Sequence, residues 1–319
     1  MTEEKRKDYT FVGATRVGES LKDNNGKPIL VQGKEVYNAN ITTKAFIASE
    51  PTLETLPTGD TVLKYVVGLF NTGKKITGAV GLEGVVADET IWANVTLFDR
   101  PGYDIATKSA NILKKGMMIA LFGQIRPREY DGKVFYNITE NRHAIVWSRD
   151  KGLTVGGEYS PVSARKANKE GLATIGALAV VGSEPEVKTT QNGKEFLSFA
   201  IGLNKASKEL NYPLGLQDES QRDLTWATVN VWDNEGFALK SRAEKAIRKG
   251  QYLLIHGMMS ANKGDKGIFY NINLDDFDIV RKVGEKNGQN NNASQPAPDE
   301  KYSSAATSVD IPLDDEIPF

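Results

Sequence analysis

A chain of 319 residues with 39% hydrophobic and 25% charged side chains is long enough for two or more domains, each with its own core. It has no cysteine, which excludes disulfide staples and thiolate metal sites, and only two histidines, His143 and His256, far apart in sequence. The net charge of −1 is unevenly spread. Three lysines against seven carboxylates give residues 282–319 a charge of −4 and leave the rest of the chain at +3.

The chain begins "MTEEKRKDYT", charged rather than apolar, so no secretory signal is expected there. No apolar run approaches the ~18 residues that a membrane span needs, and the expected compartment is the cytoplasm. Residues 1–38 read as an N-terminal extension. Within it, "LKDNNGKPILVQGKEV" (Leu21–Val36) places Asn-Gly and Gln-Gly between short β-branched runs, the pattern of one or two hairpins.

From residue 39 the pattern is β. The segments "ITTKAFIA", "VLKYVVGLF", "IWANVTLF", "MMIALFGQI" and "VFYNI" are short, β-rich and separated by Gly-bearing turns. One helix is predicted among them, "DIATKSANILKKG" (Asp104–Gly116), with apolar Ile105, Ile112 and Leu113 and a glycine at its end. Three strands, a helix and two further strands make the layout of a five-stranded OB barrel, residues 39–147. A Gly-, Ser- and Lys-rich stretch, 148–172, reads as a linker.

Beyond it the chain repeats itself. A constant shift of 134 residues aligns "LKYVVGL" (Leu63–Leu69) with "LSFAIGL" (Leu197–Leu203), "WANVTLFD" (Trp92–Asp99) with "WATVNVWD" (Trp226–Asp233), and Gly123 with Gly257. "FYNI" at Phe135–Ile138 recurs unchanged at Phe269–Ile272. Insertions accumulate in loops, so one offset across every loop marks a duplicated domain. The second copy spans 173–281, and its helix is predicted at Ala238–Gly250. The expected fold is mainly β, with two tandem OB-fold domains.

Alternation along one strand carries the functional reading. In "WANVTLF" the small aliphatics Ala93, Val95 and Leu97 share one face, and Trp92, Asn94, Thr96 and Phe98 share the other. The second copy repeats the design with Ala227, Val229 and Val231 against Trp226, Thr228, Asn230 and Trp232. Aromatics separated by polar residues do not form a dry core. On the outer face of a barrel they are platforms on which flat rings stack, and any base offers a π-face. In "QIRPREYDGK" (Gln124–Lys133), Arg126, Arg128 and Tyr130 alternate, so all three point one way along a hairpin arm, the arrangement of cations that follow phosphates beside a stacking ring. The second copy has "MMSANKGDK" there and lacks both arginines and the tyrosine, so the two domains are not expected to contribute equally. In "FYNI", Tyr136 and Tyr270 fall opposite Phe135 and Phe269. The pattern fits either pair facing outward, and both tyrosines are candidate contacts.

Past residue 281, "GEKNGQNNNASQPAPDEKYSSAATS" has the polar composition of a disordered linker, 282–309. It ends in "DIPLDDEIPF", an acidic tip closed by an apolar aromatic, residues 310–319.

With the repeat, the Trp strand and this terminus assembled, the chain resembles the bacterial-type single-stranded DNA-binding protein family, in its tandem two-domain variety. The resemblance rests on W-x-x-V-x-x-[FW], on the helix ending "KKG" or "RKG" before a strand that closes in Gly123 or Gly257, and above all on "DDEIPF". It implies sequence-tolerant binding of single-stranded DNA in replication, recombination and repair, with Trp92, Phe98, Trp226 and Trp232 at base-stacking positions and Tyr130 near a further one. It implies that Asp314, Asp315, Glu316, Ile317, Pro318 and Phe319 form a ligand for partner proteins of the helicase, nuclease, primase and recombination-mediator classes. A homodimer giving four OB domains follows by analogy, as does residence in the bacterial nucleoid or, for a phage-encoded protein, in the infected cell. No enzyme activity, cofactor or metal is expected. The chain has neither GxGxxG after a strand nor GxxxxGK[ST], and its two histidines are not equivalent in the repeat. The rival expectation is a tandem-OB protein adaptor that binds little nucleic acid itself.

Overall fold

The short β-rich segments separated by glycine turns form closed sheets because each strand has one apolar face to bury. The structure, a computed structural model, describes residues 11–70, 72–85, 90–156, 159–167, 169–216, 222–233, 238–265, 267–286 and 288. In the first half these form β1 (Val12–Val17), β2 (Leu30–Val31), β3 (Lys34–Glu35), β4 (Asn38–Ile47), β5 (Thr52–Thr55), β6 (Thr61–Phe70), α1 (Gly73–Ala79), β7 (Thr90–Phe98), α2 (Ile105–Ala110), β8 (Met118–Tyr130) and β9 (Lys133–Ser148). There follow β10 (Gly152–Leu153), β11 (Val162–Lys166), β12 (Leu172–Val181), β13 (Glu186–Thr189), β14 (Glu195–Asn204), α3 (Ser207–Asn211), β15 (Leu224–Val231), α4 (Leu239–Ala246), β16 (Tyr252–Gly264) and β17 (Gly267–Arg281).

Both halves close in the same way. In the first, β4 pairs with β8, β8 with β9, β9 with β7 and β7 with β6, and β6 returns to β4 at Phe46–Gly68 and Ile47–Val67. Only the β7–β9 contact in this circuit is parallel. The second half repeats it as β12–β16–β17–β15–β14 and back to β12, with β15–β17 parallel. These are two five-stranded OB barrels in tandem. Each encloses its own core, around Leu63, Val67, Leu97, Leu121 and Ile138 in one and Leu197, Ile201, Val229, Leu253 and Ile272 in the other. Gly123 and Gly257 sit at matching register shifts between the last two barrel strands. A Cβ at either would stand 2.4 or 2.2 Å from the facing carbonyl oxygen, of Thr139 or Asn273, so only glycine fits.

Three local expectations are corrected. The helices predicted at Asp104–Gly116 and Ala238–Gly250 stop at Ala110 and Ala246. Beyond α2, Leu113 is buried while Ile112 is half exposed, and in the second copy Ile247 is extended and buried. Side-chain burial thus unwinds the last turns. Two short helices, α1 and α3, were not foreseen. "GKKITGA" has weak intrinsic helicity, and α1 is held by the full burial of Ile76. The stretch read as a linker carries β10 and β11. β11 flanks β12 just as β1 flanks β4, with Val162 opposite Ala177 and Val12 opposite Thr43. β11 thus matches β1 at a shift of 150 residues while their partner strands match at 134, so the first copy holds sixteen extra residues, which include the β2–β3 hairpin. The acidic tip lies outside the described residues, as does most of the stretch read as a disordered linker.

The barrels pack against each other. Phe11, Phe122, Val146 and Leu153 meet Leu178, Leu254 and Val280 in a third apolar cluster. Around it, the repeat offset relates ion pairs of opposite polarity. Arg142 on β9 reaches Glu209 on α3 at 2.9 Å, and at the matching place Asp276 on β17 meets Lys75 on α1. Lys44 pairs with Asp278 at 2.6 Å, where the mirrored positions are the apolar Leu178 and Ala144. His256 is buried at this seam, its Nε2 2.8 Å from Thr15 Oγ1 and its Nδ1 3.1 Å from Thr42 Oγ1, both in the first barrel.

Burial lowers His256 to about 4, and burial together with the neighbouring Asp276 raises Asp275 to about 6. The signs oppose. An unfolded histidine takes its proton near 6.5, so the His256 contribution is complete above that value and lost as pH falls toward 4. An unfolded Asp gives up its proton near 4, so the Asp275 contribution is complete below that value and lost as pH rises through 6. Asp275→Asn, which installs the residue of the equivalent position Asn141, removes one side of this balance. Urea unfolding at pH 7, 5 and 4 should show the variant losing about 1 kcal/mol more than the parent between pH 6.5 and 4, less than the full shift implies because Asp275 is exposed and solvent screens its charge. Superimposable pH profiles would contradict the assignment.

Candidate functional site

β7 divides its side chains as the alternation predicts. Ala93, Val95 and Leu97 are buried, and Trp92, Asn94, Thr96 and Phe98 are partly exposed on the outer face. Gly68 of β6 lies opposite Trp92 and gives the indole room. A Cβ there would come within 2.9 Å of the ring. Phe70 meets the same indole edge to face, at 6.3 Å between centroids and 78°. On the other side Asn94 donates to Asn137 of β9 at 3.4 Å, and Asn137 pairs in register with Arg126 of β8. Arg126 and Tyr130 are exposed and Arg128 is half-buried, at alternate positions opposite Asn137, Lys133 and Phe135. A polar and aromatic surface therefore runs unbroken across β6, β7, β9 and β8.

The extra hairpin of the first copy holds this arm. Gln32 occupies the β2–β3 turn with φ at 49°. Its backbone N–H donates to the Glu129 carboxylate at 2.6 Å and its side-chain amide to the Gly132 carbonyl at 3.0 Å. The second copy has no such insertion.

In β15, Ala227, Val229 and Val231 are buried, and Trp226 is 52% exposed. The Trp226 ring lies over two glycines. A Cβ at Gly202 would stand 3.3 Å from it and one at Gly182 2.2 Å. Trp232 is stacked on Phe196 at 4.6 Å and 25°, its Nε1 donates to Asn273 at 3.4 Å, and the Lys194 ammonium lies 5.2 Å from its centroid. Phe196, like Phe70, was missed by the sequence reading, although strand parity places both on the outer face.

The tyrosines of "FYNI" need correction. Tyr270 is buried and donates to Asn211, and Tyr136 packs against the first core. They share the inner face with Ile272 and Ile138, which takes the buried Tyr270 off the outer surface and turns the partly buried Tyr136 toward the core. Phe269 is instead 53% exposed and lies against Gly264. The Arg222 guanidinium lies close over Gly267, at the same hairpin. The second arm thus has Phe269, one of the two residues that the sequence pattern left open for the outer face, and a cation that the sequence reading did not find, because Arg222 comes from a loop distant in sequence.

One cluster mimics catalytic chemistry. Glu140 binds His143 Nδ1 and the Tyr65 hydroxyl, and His143 Nε2 is 3.5 Å from Ser109 Oγ. Both Glu140 and Ser109 are almost wholly buried, which denies a substrate access to the serine. The equivalent positions in the second barrel are the buried apolar residues Phe199, Leu274, Phe277 and Ala243, so the network occupies a core position and satisfies its own polar groups. Burial beside Glu140 raises the Tyr65 hydroxyl well above its ordinary range. Among the described residues, no three His, Asp or Glu side chains are grouped to hold a metal.

Residues 174–268, within the second barrel, match the family model described as single-strand binding protein family. Among solved structures, the chain is similar to the wild-type single-stranded DNA binding protein from Thermus aquaticus, with 13% identity and a TM-score of 0.24 over 79% of this chain and 95% of that one. It is similar to the mitochondrial single-stranded DNA binding protein Rim1 from S. cerevisiae, with 14% identity and a TM-score of 0.24 over 35% of this chain and 96% of that one. A murine DNA binding protein solved with double-stranded DNA matches at 11% identity and a TM-score of 0.21, over 76% of this chain and 97% of that one.

The glycine bed beneath Trp226 gives a test of the surface. Gly182→Ala installs the residue found at the equivalent position Ala48, and the new methyl must push the indole aside. The chain has four tryptophans, and fluorine NMR of fluorotryptophan-labelled protein should show a shift concentrated on the Trp226 resonance. An unmoved Trp226 signal would refute the close packing of ring and glycine.

Proposed function

We propose that this chain, whose second barrel matches the single-strand binding protein family model, binds single-stranded DNA on the outer faces of both barrels without regard to sequence. The observation that carries this reading is the doubled outer row of Trp92 and Phe98 in one barrel and Trp226 and Trp232 in the other, each separated by polar side chains and bordered by cations. Bases stack on such rings with ~1–3 kcal/mol each, and any base has the required π-face. Arg126, Arg128 and Tyr130 on the first arm, and Arg222 and Phe269 on the second, serve the backbone and the bases beside them. The first domain, with two arginines on a hairpin held by Gln32, takes the larger electrostatic share. The mechanism is passive. The protein covers strands exposed in replication, recombination or repair and keeps them from re-pairing, in the cytoplasm of its cell. No reaction is assigned to it.

Recruitment belongs to the same proposal. Asp314, Asp315 and Glu316 steer a basic partner while Phe319 and its terminal carboxylate fill an apolar pocket rimmed by a cation. The partners are helicases, nucleases, primase and recombination mediators. Two chains assemble as a homodimer that presents four barrels.

Trp92→Ala and Trp226→Ala should each weaken oligo(dT) binding about tenfold to a hundredfold with folding intact, measured by fluorescence anisotropy. Unchanged affinity in both would contradict the stacking assignment. Deletion of Ile317–Phe319 should leave oligo(dT) affinity intact and abolish capture of a purified partner helicase. Retained capture would contradict the recruiting role.

A further inference from the structure

The outer row of the first barrel does not end at Phe98. Two residues further on, Arg100 donates to the side-chain oxygen of Asn141 at 3.3 Å, and Arg165 of β11, in the second domain, donates to that same oxygen at 2.5 Å. Asn141 is the extra residue at the β9 register shift, between Glu140 opposite Gly123 and Arg142 opposite Phe122. It follows Asn137 and Thr139, the outer neighbours of Asn94 and Thr96, and its amide also reaches Ser163 of β11 at 3.5 Å. Two guanidinium groups from different domains thus converge on one neutral oxygen. Among the described residues neither is paired with a carboxylate. Asp99 is occupied by the N-terminus of α2, through Ala106 and Thr107, and Glu209 is taken by Arg142. Arg165 is partly buried, and burial and Arg100 both act against its charge. Like charges held together at a half-buried position are costly unless an anion joins them.

The opposite seam is built the other way. The repeat offset carries Asn141 to Asp275 and Arg142 to Asp276, and Asp276 is engaged by Lys75 and Arg242. The position matching Arg165 is Thr15, which is bound to His256. Among the described residues, one seam therefore presents two guanidinium groups without a carboxylate partner at the end of an aromatic row, and its counterpart has the exposed Asp275 and a buried, doubly paired Asp276 there.

On the reading that the chain binds single-stranded DNA, we infer that Arg100 and Arg165, bridged by Asn141, form a site for a backbone phosphate at which the strand crosses from the first barrel to the second, and that it crosses at this seam only. The planar forks of two arginines suit the non-bridging oxygens of a phosphodiester, which would share with Asn141 the donors that now meet on its oxygen. The other seam has Asp275 in place of Asn141 and Thr15 in place of Arg165, so it offers a phosphate no such pair of guanidinium groups, and the inter-domain path has one fixed course.

The test uses the full-length chain and its Arg100→Gln/Arg165→Gln double variant, titrated with dT oligomers of about 10 and about 30 nucleotides, the shorter within one OB domain's site size. The dependence of affinity on salt is recorded for each. The variant should bind the short oligomer within about twofold of the parent and lose about tenfold on the long one, with a salt slope smaller by about 0.7 for the phosphate released. Arg165→Lys in the parent should keep most of the slope, since it keeps the charge. An unmoved unfolding midpoint establishes that the double variant remains folded. An equal loss on both oligomers, or an unchanged slope on the long one, would overturn the crossing site while leaving DNA binding in place. A parent that binds neither oligomer would overturn the binding reading and this site with it.

Discussion

The structure depends on one constraint. A β-strand gives alternate residues to opposite faces, and along β7 and β15 the small closed barrel takes the compact apolar set inside. Ala93, Val95 and Leu97 fill that interior, as do Ala227, Val229 and Val231, so the intervening aromatics must stand outside. What keeps those rings ordered is the neighbouring strand. Gly68 and Gly202 leave space for an indole to lie against the sheet, and Phe70 and Phe196 supply aromatic neighbours for Trp92 and Trp232. A ring supported in this way loses little freedom when a base stacks on it, so the surface is prepared before a ligand arrives.

Duplication set two such surfaces side by side, and divergence made them unequal. The first copy carries a hairpin, absent from the second, whose Gln32 clasps the β8–β9 arm. The seam between the barrels lost its symmetry as well. Arg142–Glu209 and Asp276–Lys75 occupy equivalent places with reversed polarity, and Lys44–Asp278 has an apolar counterpart. Such a pattern fixes which face of one barrel meets which face of the other, because exchanging the partners would bring like charges together. It also sets the guanidinium groups of Arg100 and Arg165 together at one seam where the other has Asp275 and Thr15, so a polyanion meets two different entrances.

The sequence made legible whatever obeys a local period. The 134-residue shift revealed the two domains, and strand alternation placed Trp92, Phe98, Trp226 and Trp232 on outer faces, where the structure puts them. It failed where tertiary contacts decide. Helix length at α2 and α4 follows the burial of Leu113 and Ile247, which no 3.6-residue period announces. Tyr136 and Tyr270 were read as possible contacts because parity alone does not say which face of "FYNI" is inside. The pairing of Ala93 with Tyr136 and of Ala227 with Tyr270 answers that. The meeting of Arg100 with Arg165 joins residues of different domains, and no spacing within one strand could show it.

The most direct measurement of the central claim, that the outer tryptophans are stacking platforms, is a titration of intrinsic tryptophan fluorescence with oligo(dT) and with duplex DNA of equal length at low and moderate salt. The account predicts strong quenching by oligo(dT), weakened but not abolished by salt, and little response to the duplex, whose bases are already stacked on each other. Absence of quenching by oligo(dT) at low salt would mean that no base reaches the indoles, and would contradict the account.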